Sequence, residues 1–375
     1  MGQGRTISGA MCVLLACTAL LIWLGLSGIQ RGDELEGGSY ASRQIVWLVL
    51  GAGSAAIAWA LPYQRLKPWS YPFYVAAVAL LVAVYFFPAK QGARRWIPVG
   101  PLSVQPSELA KLALILALGH YLMFRRNHRT VLGLIPPFAM TVIPVLLILK
   151  EPDLGTSLLF FPVLYAMLFI AGAKRWHLMA TVAAGIALLP VLWICMSAEQ
   201  KSRVTAVFQQ HDGGKPDPGD GYHLYQSKQL LALGGTWGSE LNGMPLDDLA
   251  AYRLPAGRTD FVYCLVGERY GLWGTLGTLA VFSCFVITGL HVAAATRDPF
   301  GRLLATGIVA ILTAQVLINT SMTVGLSPIT GLTLPLMSYG GSSLVTTAFS
   351  IGLLLNIARS PGFDVAGQPF QFGDE

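Results

Sequence analysis

The sequence predicts an all-α, polytopic membrane protein of about ten transmembrane helices with a long fourth external loop. Hydrophobic residues make up 54% of the 375 residues and charged residues only 12%, whereas a soluble globular chain carries roughly 25% charged residues. Apolar runs of roughly 17–25 residues recur along the chain, each long enough to cross a bilayer core. The acidic residues are concentrated in alternate segments between these runs, and the remaining short segments carry basic residues with almost no acids. We therefore expect residues 1–375 to form a single integral membrane domain.

The apolar runs are expected to form ten helices in order along the chain. The run at 261–292 is longer than one crossing needs, so its first turns should project from the membrane or the helix should tilt. The polar segment before it, about 197–260, is expected to be the long external loop and to contain a short amphipathic helix at YHLYQSKQLLALGG. The predicted spans are residues 8–29, 44–62, 69–87, 107–124, 132–149, 157–173, 178–196, 261–292, 303–324 and 340–357.

The charge distribution predicts the orientation of these helices. An even number of spans places both termini on one side, and the short interhelical loops of that side contain a single acid, Asp298. Because Lys and Arg are enriched in short cytoplasmic loops, we expect both termini to be cytoplasmic. The basic residues on this side are Arg5, Arg65, Lys67, Arg125, Arg126, Arg129, Lys174, Arg175, Arg297, Arg302 and Arg359.

The composition also excludes some functions. No span is rich in Arg at three-residue spacing, which argues against a voltage sensor. No glycine-rich nucleotide-binding loop is present, and we expect membrane lipid rather than nucleic acid around the chain. An enzyme on the external face would have no nucleotide to use, so its donor substrate would have to be activated already.

The first polar segment, Gly92 to Lys111, carries paired arginines, Arg94 and Arg95, beside Trp96. A simple anchor at the membrane interface is the alternative for Trp96. Glu108 and Lys111 are three residues apart and so share one face of the fourth helix. Ionisable residues at membrane depth are candidates for function, and a purely structural pair is the alternative. We also expect Ser107 to cap this helix.

Two further segments place carboxylates at the external ends of helices. Glu151 and Asp153, in KEPDLGT, either bind a cation or a sugar hydroxyl, or cap the following helix. Asp260 precedes the eighth helix and is a candidate catalytic carboxylate, with a helix N-terminal role as the alternative. Burial would raise the pKa of Asp260, whereas neighbouring Arg258 would lower it.

The fourth segment, residues 319–343, is apolar but interrupted by Gly and Pro. Irregular backbone at membrane depth is tolerated where it is buried in protein or lines a cavity. The segment is therefore predicted to form the wall of an external cavity. Close helix packing by the GGSS run at residues 340–343 is the alternative.

These motifs resemble those of the RodA/FtsW (SEDS) family of peptidoglycan glycosyltransferases. The strings RRWIPVGPLSVQPSELAK, EPDLGTSL, LPAGRTDF…GERYG and SPITGLTLPLMSYGGSS occur in family order. The resemblance extends from about residue 8 to residue 358, and EPDLGTSL favours the RodA-like branch of cell elongation over the FtsW branch of division. A lipid-linked precursor flippase and a non-catalytic scaffold for a penicillin-binding protein are the alternative functions.

The resemblance implies polymerisation of glycan strands from lipid II on the outer face of the bacterial cytoplasmic membrane. Asp260 would be the general base, and a single inverting displacement would form β-1,4 links. The resemblance further implies a class B penicillin-binding protein as partner and a divalent cation, Mg or Mn, whose ligands are unknown, with no nucleotide or organic cofactor. The substrate-binding residues would be Arg94, Arg95, Trp96, Glu108, Lys111, Glu151, Asp153, Arg258, Ser338 and Tyr339.

The chain departs from the family pattern at two places near Asp260. Arg258 stands where the family usually has His, and Glu268-Arg269 stands where it usually has two glutamates. Both changes add positive charge, so we expect the pKa of Asp260 to be depressed and Asp260 to be a weaker base.

Overall fold

The computed structural model describes residues 2–89, 93–100, 102–124, 130–208, 210, 220–244 and 249–360. The described chain is α-helical apart from one short antiparallel hairpin, β1 (Ile97–Val99) and β2 (Leu102–Val104). The helices are α1 (Gly2–Glu36), α2 (Tyr40–Ala60), α3 (Ser70–Ala83), α4 (Pro106–Phe124), α5 (Ile135–Lys150), α6 (Leu154–Ile170), α7 (Arg175–Cys195), α8 (Ala198–Phe208), α9 (Asp220–Gly234), α10 (Ser239–Asn242), α11 (Val262–Ala295), α12 (Pro299–Thr323) and α13 (Gly341–Arg359).

Each of the ten predicted apolar runs is helical, and the all-α polytopic architecture is confirmed. Within the described residues, seven helices are long and apolar enough to cross a membrane, namely α1, α2, α5, α7, α11, α12 and α13. Two further apolar helices, Ser70–Phe86 and Leu154–Ile170, are shorter, and α4 adds 19 residues. The helix predicted within the long loop is α9, although its apolar residues do not gather on one face.

Helix α12 lies at the centre of the bundle of described helices. Leu303, Leu304 and Ile308 of α12 are fully buried, and α12 packs against α4, α6 and α11. Helix α7, in contrast, exposes Ile186 and Ile194 by more than half of their surface. Such apolar exposure is what a lipid-facing helix requires.

Helix α11 is broken at Gly271, where φ is 67° and ψ is −157°. Glycine adopts such positive φ angles without steric cost. The turn after α9 docks on this break: Leu272 N donates to Gly235 O at 2.9 Å, and a Cβ at Gly271 would lie 2.5 Å from Gly238 N. Residues 262–270 thus form a separate first segment of α11, a break that the sequence did not predict.

The chain between α12 and α13, residues 324–340, is non-helical and is held by α12. Gln315 Nε2 donates to Thr333 O at 2.8 Å, and Asn319 Nδ2 donates to Leu332 O at 2.6 Å. The predicted irregular segment is therefore confirmed, and close packing follows it, since a Cβ at Gly341 would lie 2.2 Å from the Trp47 ring. We call the end of the bundle that carries residues 196–208, 220–244 and 249–261 the loop face.

Candidate active site

Asp260 lies at the loop face in a tight turn that leads into α11. The backbone N–H groups of Thr259, Asp260 and Phe261 all donate to Ala256 O, at 3.1, 3.0 and 3.3 Å. Asn319 Nδ2 reaches the backbone carbonyl of Asp260 at 2.7 Å. The turn and α12 together fix the backbone of Asp260, so its carboxyl has a defined position.

The side chain of Asp260 faces the irregular segment between α12 and α13. A Cβ added at Gly331 would lie 3.6 Å from Asp260 Oδ2, so this glycine leaves the space beside the carboxyl open. Asp260 itself is half-buried. The carboxyl is thus half-buried beside the irregular segment, where a substrate hydroxyl could reach it.

Burial raises the pKa of Asp260 to about 6. A hydrogen bond with Thr259 opposes this rise, the charge of Asp153 adds to it, and the cations Arg203 and Arg95 oppose it. The expectation that the pKa is depressed is therefore wrong, because desolvation outweighs the nearby positive charge. A carboxylate with a pKa near 6 is a stronger base than an exposed Asp and is still ionised at neutral pH.

Arg258 does not supply the positive charge that the sequence led us to expect at Asp260. Its Nε lies 3.0 Å from Asp33 Oδ1, and its Nη1 lies 3.0 Å from Glu36 Oε2. Its Nη2 donates to the carbonyls of Gly32 and Gly37. The guanidinium is therefore engaged by the end of α1 and the turn that follows it, and we remove Arg258 from the proposed substrate-binding residues.

Arg269 also forms its ion pairs with acids other than Asp260. Its Nε lies 2.9 Å from Glu240 Oε2, and its Nη1 lies 4.0 Å from Glu34 Oε1. Its neighbour Glu268 is fully buried and is bound by Arg31 through Nε at 2.7 Å and Nη2 at 2.8 Å. Both added cations thus form ion pairs with acids other than Asp260.

Asp153 lies close enough for its charge to act on Asp260. Its Oδ1 accepts from Thr156 N at 3.1 Å and its Oδ2 accepts from Thr156 Oγ1 at 3.0 Å, so the predicted capping of the following helix is confirmed. A Cβ at Gly155 would lie 2.5 Å from Thr330 O. This close approach brings the start of α6 against the segment that also borders Asp260.

Glu151 is the most isolated carboxyl of the site. It is 1% exposed, and neither carboxyl oxygen has a hydrogen-bond partner among the described residues. Burial and the charge of Asp153 raise the pKa of Glu151 to about 8, against the influence of Arg95. Glu151 is therefore mainly protonated at neutral pH and can donate a hydrogen bond.

The paired arginines of the first segment, Arg94 and Arg95, contact different parts of the protein. Arg95 donates through Nε to Glu151 O at 2.9 Å and through Nη2 to Pro152 O, and its charge acts on Asp260 and Glu151. Arg94 is exposed and donates to Tyr85 O at 2.8 Å. Trp96 is half-buried immediately before β1. Of these three, Arg95 is the residue whose contacts place it at the Glu151–Asp153 loop.

Glu108 and Lys111 form a buried ion pair, with 2.9 Å between Oε1 and Nζ. They are 6% and 7% exposed, and they border a small cavity together with Gln315 and Thr346. The pair lies one turn inside α4, which begins at Pro106. The predicted cap at Ser107 is wrong, because α4 begins one residue earlier and Ser107 Oγ is buried without a partner among the described residues.

Ser338 and Tyr339 support the backbone near the site. Ser338 Oγ accepts from Leu334 N at 2.8 Å, so this hydroxyl closes a local turn. Tyr339 N donates to Arg258 O at 2.9 Å, and its ring packs edge-on against Tyr40 at 5.0 Å between centroids. Both residues hold the irregular segment, and neither hydroxyl is placed at Asp260 by a contact in the structure.

Arg203 of α8 and Asn319 of α12 belong to the site but were not singled out in the sequence. The charge of Arg203 acts on Asp260, and its signal was the presence of several basic residues in the long loop. The signal for Asn319 was the spacing of Gln315 and Asn319, two polar residues four apart in an apolar run.

The site was also tested for a divalent cation. Within the described ranges, no group of three or more His, Cys, Asp or Glu side chains lies close enough together to hold a metal ion. Both carboxyl oxygens of Asp153 accept hydrogen bonds from Thr156. These residues do not fit a cation held by protein ligands alone, and we derive no step through one.

The fold and this site define a class: polytopic membrane proteins with a recessed carboxylate at one face of the bundle. A family model described as a cell cycle protein, for FtsW, RodA and SpoVE, matches residues 6–361. The chain belongs to this family.

Relatives and a solved structure agree with this assignment. The chain is 33% identical over 358 residues to the "Probable peptidoglycan glycosyltransferase FtsW" of Geobacter sulfurreducens, covering 93% of each chain. It is 31% identical over 351 residues to the "Peptidoglycan glycosyltransferase MrdB" of Escherichia coli, covering 92% of this chain and 91% of the relative. A structure titled "Structural coordination of polymerization and crosslinking by a peptidoglycan synthase complex" matches with a TM-score of 0.80 and 31% identity, covering 94% and 98% of the two chains.

Proposed function

We propose that this protein is a peptidoglycan glycosyltransferase that polymerises glycan strands from lipid II at its loop face. The observation that carries the proposal is Asp260, a recessed carboxylate whose pKa is raised to about 6 by burial. Family membership supports the reaction class, because relatives at 31–33% identity are named peptidoglycan glycosyltransferases. The proposed donor, lipid II, is already activated by its pyrophosphate, which agrees with the lack of a nucleotide-binding loop in the sequence.

In the proposed reaction, Asp260 accepts the proton of the acceptor sugar's 4-hydroxyl while that oxygen attacks the anomeric carbon of the donor. The bond between this carbon and the pyrophosphate oxygen breaks, and the electron pair leaves with undecaprenyl pyrophosphate. A single displacement at an α-linked carbon inverts the centre and forms a β-1,4 link. A positioned base of this kind accelerates a reaction by about 100- to 10,000-fold.

We propose that Arg95 and Arg203 meet the negative charge of the departing pyrophosphate. Their charges already act on Asp260, so an anion bound between them would lie beside the base. Neutral Glu151 would add a hydrogen-bond donor, since its carboxyl is buried and protonated at neutral pH. Preorganised donors and cations at a developing charge are a principal source of catalytic power. The divalent cation expected from the resemblance stays a prediction.

We further propose that the loop face is the external side of the bacterial cytoplasmic membrane and that both termini are cytoplasmic. Lipid II would then reach Asp260 from the outer leaflet. A class B penicillin-binding protein is the proposed partner, supported by the matched structure of a peptidoglycan synthase complex. Its transpeptidase would crosslink the strands made here. The RodA-like branch remains a prediction, since relatives of both branches match.

The test is the reaction itself. Purified protein, with and without its partner, is incubated with lipid II. The glycan products are then resolved by gel electrophoresis. We expect glycan strands sensitive to a β-1,4-specific muramidase. Translocation of lipid II across proteoliposomes without polymer would favour the flippase. Neither polymer nor translocation from a folded, partner-bound protein would favour the scaffold.

A further inference from the structure

We infer that the end of α1, residues 31–36, together with Arg258, is a positioning device that clamps both sides of the Asp260 turn. Here we call residues 31–36 the α1 strut. The inference rests on the proposed function for its catalytic consequence, but the clamp itself is a matter of geometry. Arg258 is in this view a positioning residue, which acts on the substrate only through Asp260.

The side of the turn that precedes Asp260 is held by the acids of the α1 strut. Asp33 and Glu36 each lie 3.0 Å from the Arg258 guanidinium, and Glu36 Oε1 also accepts from Leu254 N at 3.0 Å. The side chain of Arg258 is 12% exposed. An ion pair shielded in this way holds its partners more firmly than a solvated surface pair does.

The side of the turn that follows Asp260 is held by a second group of contacts with α1. Arg31 binds the fully buried Glu268 with two nearly parallel hydrogen bonds, of 2.7 and 2.8 Å. Such bidentate pairs restrict both distance and orientation. Arg269 donates to Ser27 O at 3.1 Å, and Ser27 Oγ lies 2.6 Å from the Tyr270 hydroxyl.

Backbone packing brings α1 close enough for these pairs to form. A Cβ at Gly32 would lie 2.9 Å from Arg258 Cγ, and a Cβ at Gly28 would lie 3.1 Å from Val262 Cγ2. The two glycines are one helical turn apart, so α1 presents a smooth strip to the Asp260 turn. The side chains of the α1 strut can therefore reach both flanks at once.

The strut explains why the two departures from the family pattern leave Asp260 with a raised pKa. Arg258 faces Asp33 and Glu36, and Arg269 faces Glu34 and Glu240. Each added cation thus has acids of its own, one or both of them in the α1 strut. We infer that Arg258 and the acids of the α1 strut are adapted to each other, so that exchanging one alone disturbs the turn.

Arg258 also joins the turn to the irregular segment. Tyr339 N donates to Arg258 O at 2.9 Å, and the Arg258 guanidinium lies 4.8 Å from the centroid of the Tyr40 ring, against which Tyr339 packs. A shift of Arg258 would therefore move both walls beside Asp260. Misplacement of a catalytic group by about 1 Å can cost about 100-fold in rate.

The test is a coupled mutant series in the full-length protein with its partner, with polymerisation of lipid II as the assay. The variants are Arg258→Ala, the acid double variant Asp33→Asn/Glu36→Gln, and the combined triple variant. We expect each of the first two to lower kcat by about 10- to 100-fold, with KM for lipid II within about twofold. We expect the kcat of the triple variant to be no lower than the kcat of the slower of the other two variants. All three variants remove the same contact between Arg258 and the acids of the α1 strut, so their effects should not add.

A matched control is Arg253→Ala, which removes an exposed arginine of the same loop and should leave kcat and KM unchanged. Arg258→His, which restores the usual family residue, should lower kcat here because imidazole cannot reach both acids. A rise in KM of tenfold or more with kcat unchanged, or additive losses in the triple variant, would overturn the inference and return Arg258 to substrate binding.

A second readout separates this inference from the proposed function. Amide hydrogen exchange of residues 254–262 should accelerate in Arg258→Ala and in the acid double variant, and not in Arg253→Ala, whatever the protein polymerises. Unchanged exchange in a folded Arg258→Ala protein would refute the clamp. If wild-type protein makes no polymer while exchange responds as expected, the proposed function fails and the clamp stands.

Discussion

At the scale of single residues, the site contains three carboxyl groups in different environments. Asp153 is fully hydrogen-bonded to Thr156, Asp260 is recessed with cations nearby, and Glu151 is buried with no partner for its carboxyl among the described residues. The sequence predicted that all three matter, because acids at helix ends in a membrane protein are costly. It could not rank them, since the environments of Asp260 and Glu151 depend on Arg95, which is distant from both along the chain.

The first prediction at this scale concerns the pH dependence of the reaction. In the proposed mechanism Asp260 is the base, so only its ionised form is active, and the raised pKa of about 6 places the loss of activity at mildly acidic pH. We expect kcat/KM to be constant above about pH 7 and to fall about tenfold per pH unit below about pH 6. Initial rates of polymerisation between pH 4.5 and 8 measure this. A profile that stays flat down to pH 5 would contradict the assignment.

The second prediction concerns stability and Glu151. Its pKa is raised from 4.5 to about 8 in the folded protein, so the folded state holds a proton that the unfolded state loses above pH 4.5. Stability should therefore fall as pH rises from about 4.5 to about 8 and level off above that. In Glu151→Gln this loss should be absent, with a gain on the order of a few kcal/mol at pH 8.

Melting temperatures of both proteins at pH 5, 6.5 and 8 check the second prediction. The two proteins should differ least at pH 5 and most at pH 8. Glu151→Gln can also slow polymerisation, because it changes a proposed donor, so stability is the decisive readout here. A difference that is independent of pH would mean that Glu151 is ionised, and therefore partnered, in the folded protein.

At the scale of elements, the apolar runs predicted where helices occur, because crossing a membrane requires a helix long enough to satisfy its own backbone. The extension of α1 to Glu36 was not predicted, since residues 30–36 are polar and their partners, Arg258 and Glu268, are more than 200 residues away. The irregular segment after α12 was predicted from its Gly and Pro residues. Its attachment to α12 through Asn319 is visible only in three dimensions.

The third prediction tests this attachment. Asn319→Ala removes the donor shared by Asp260 O and Leu332 O, and a buried carbonyl without a partner costs about 1–3 kcal/mol. We expect a loss of about 2–4 kcal/mol in unfolding free energy and a fall in kcat, because the Asp260 turn is released from α12. Thermal or denaturant unfolding in detergent and polymerisation rates measure the two effects.

The neighbouring residue provides the control for Asn319→Ala. Thr320 Oγ1 bonds to Val316 O within α12 at 2.8 Å, so Thr320→Ala should change stability by less than about 0.5 kcal/mol and leave activity intact. Equal effects of the two substitutions would show that Asn319 contributes only to helix packing.

At the scale of the whole molecule, one end of the bundle contains the features that surround Asp260. These features are the ion pairs, the broken helix and the irregular segment. The sequence predicted this asymmetry from charge alone, because short loops with basic residues and a single acid alternate with segments that carry most of the acids. The position and order of the apolar helices followed from hydropathy, and the lateral packing around α12 did not. Packing among apolar helices depends on shape, which composition does not encode.

The fourth prediction concerns orientation. Two single-cysteine variants in a cysteine-free background report on the two ends of the bundle. Arg253→Cys places a cysteine in the long loop, and Trp69→Cys places one at the opposite end, between α2 and α3. Both positions are exposed. We expect a membrane-impermeant maleimide to label Arg253→Cys in intact spheroplasts and to label Trp69→Cys after lysis. The reverse pattern would place Asp260 on the cytoplasmic side and would exclude the proposed use of externally presented lipid II.

The most direct test of the central claim is polymerisation of lipid II by Asp260→Asn, a substitution that keeps the side chain's shape and removes its basicity. Asp298→Asn is the matched control, because Asp298 caps α12 by accepting from Gly301 N at 3.0 Å at the opposite end of the bundle. With melting behaviour and partner binding preserved in both, we predict a fall of at least about 100-fold in the polymerisation rate for Asp260→Asn and a near-normal rate for Asp298→Asn. A folded Asp260→Asn protein that polymerises lipid II at the wild-type rate would contradict the assignment of Asp260 as the catalytic base.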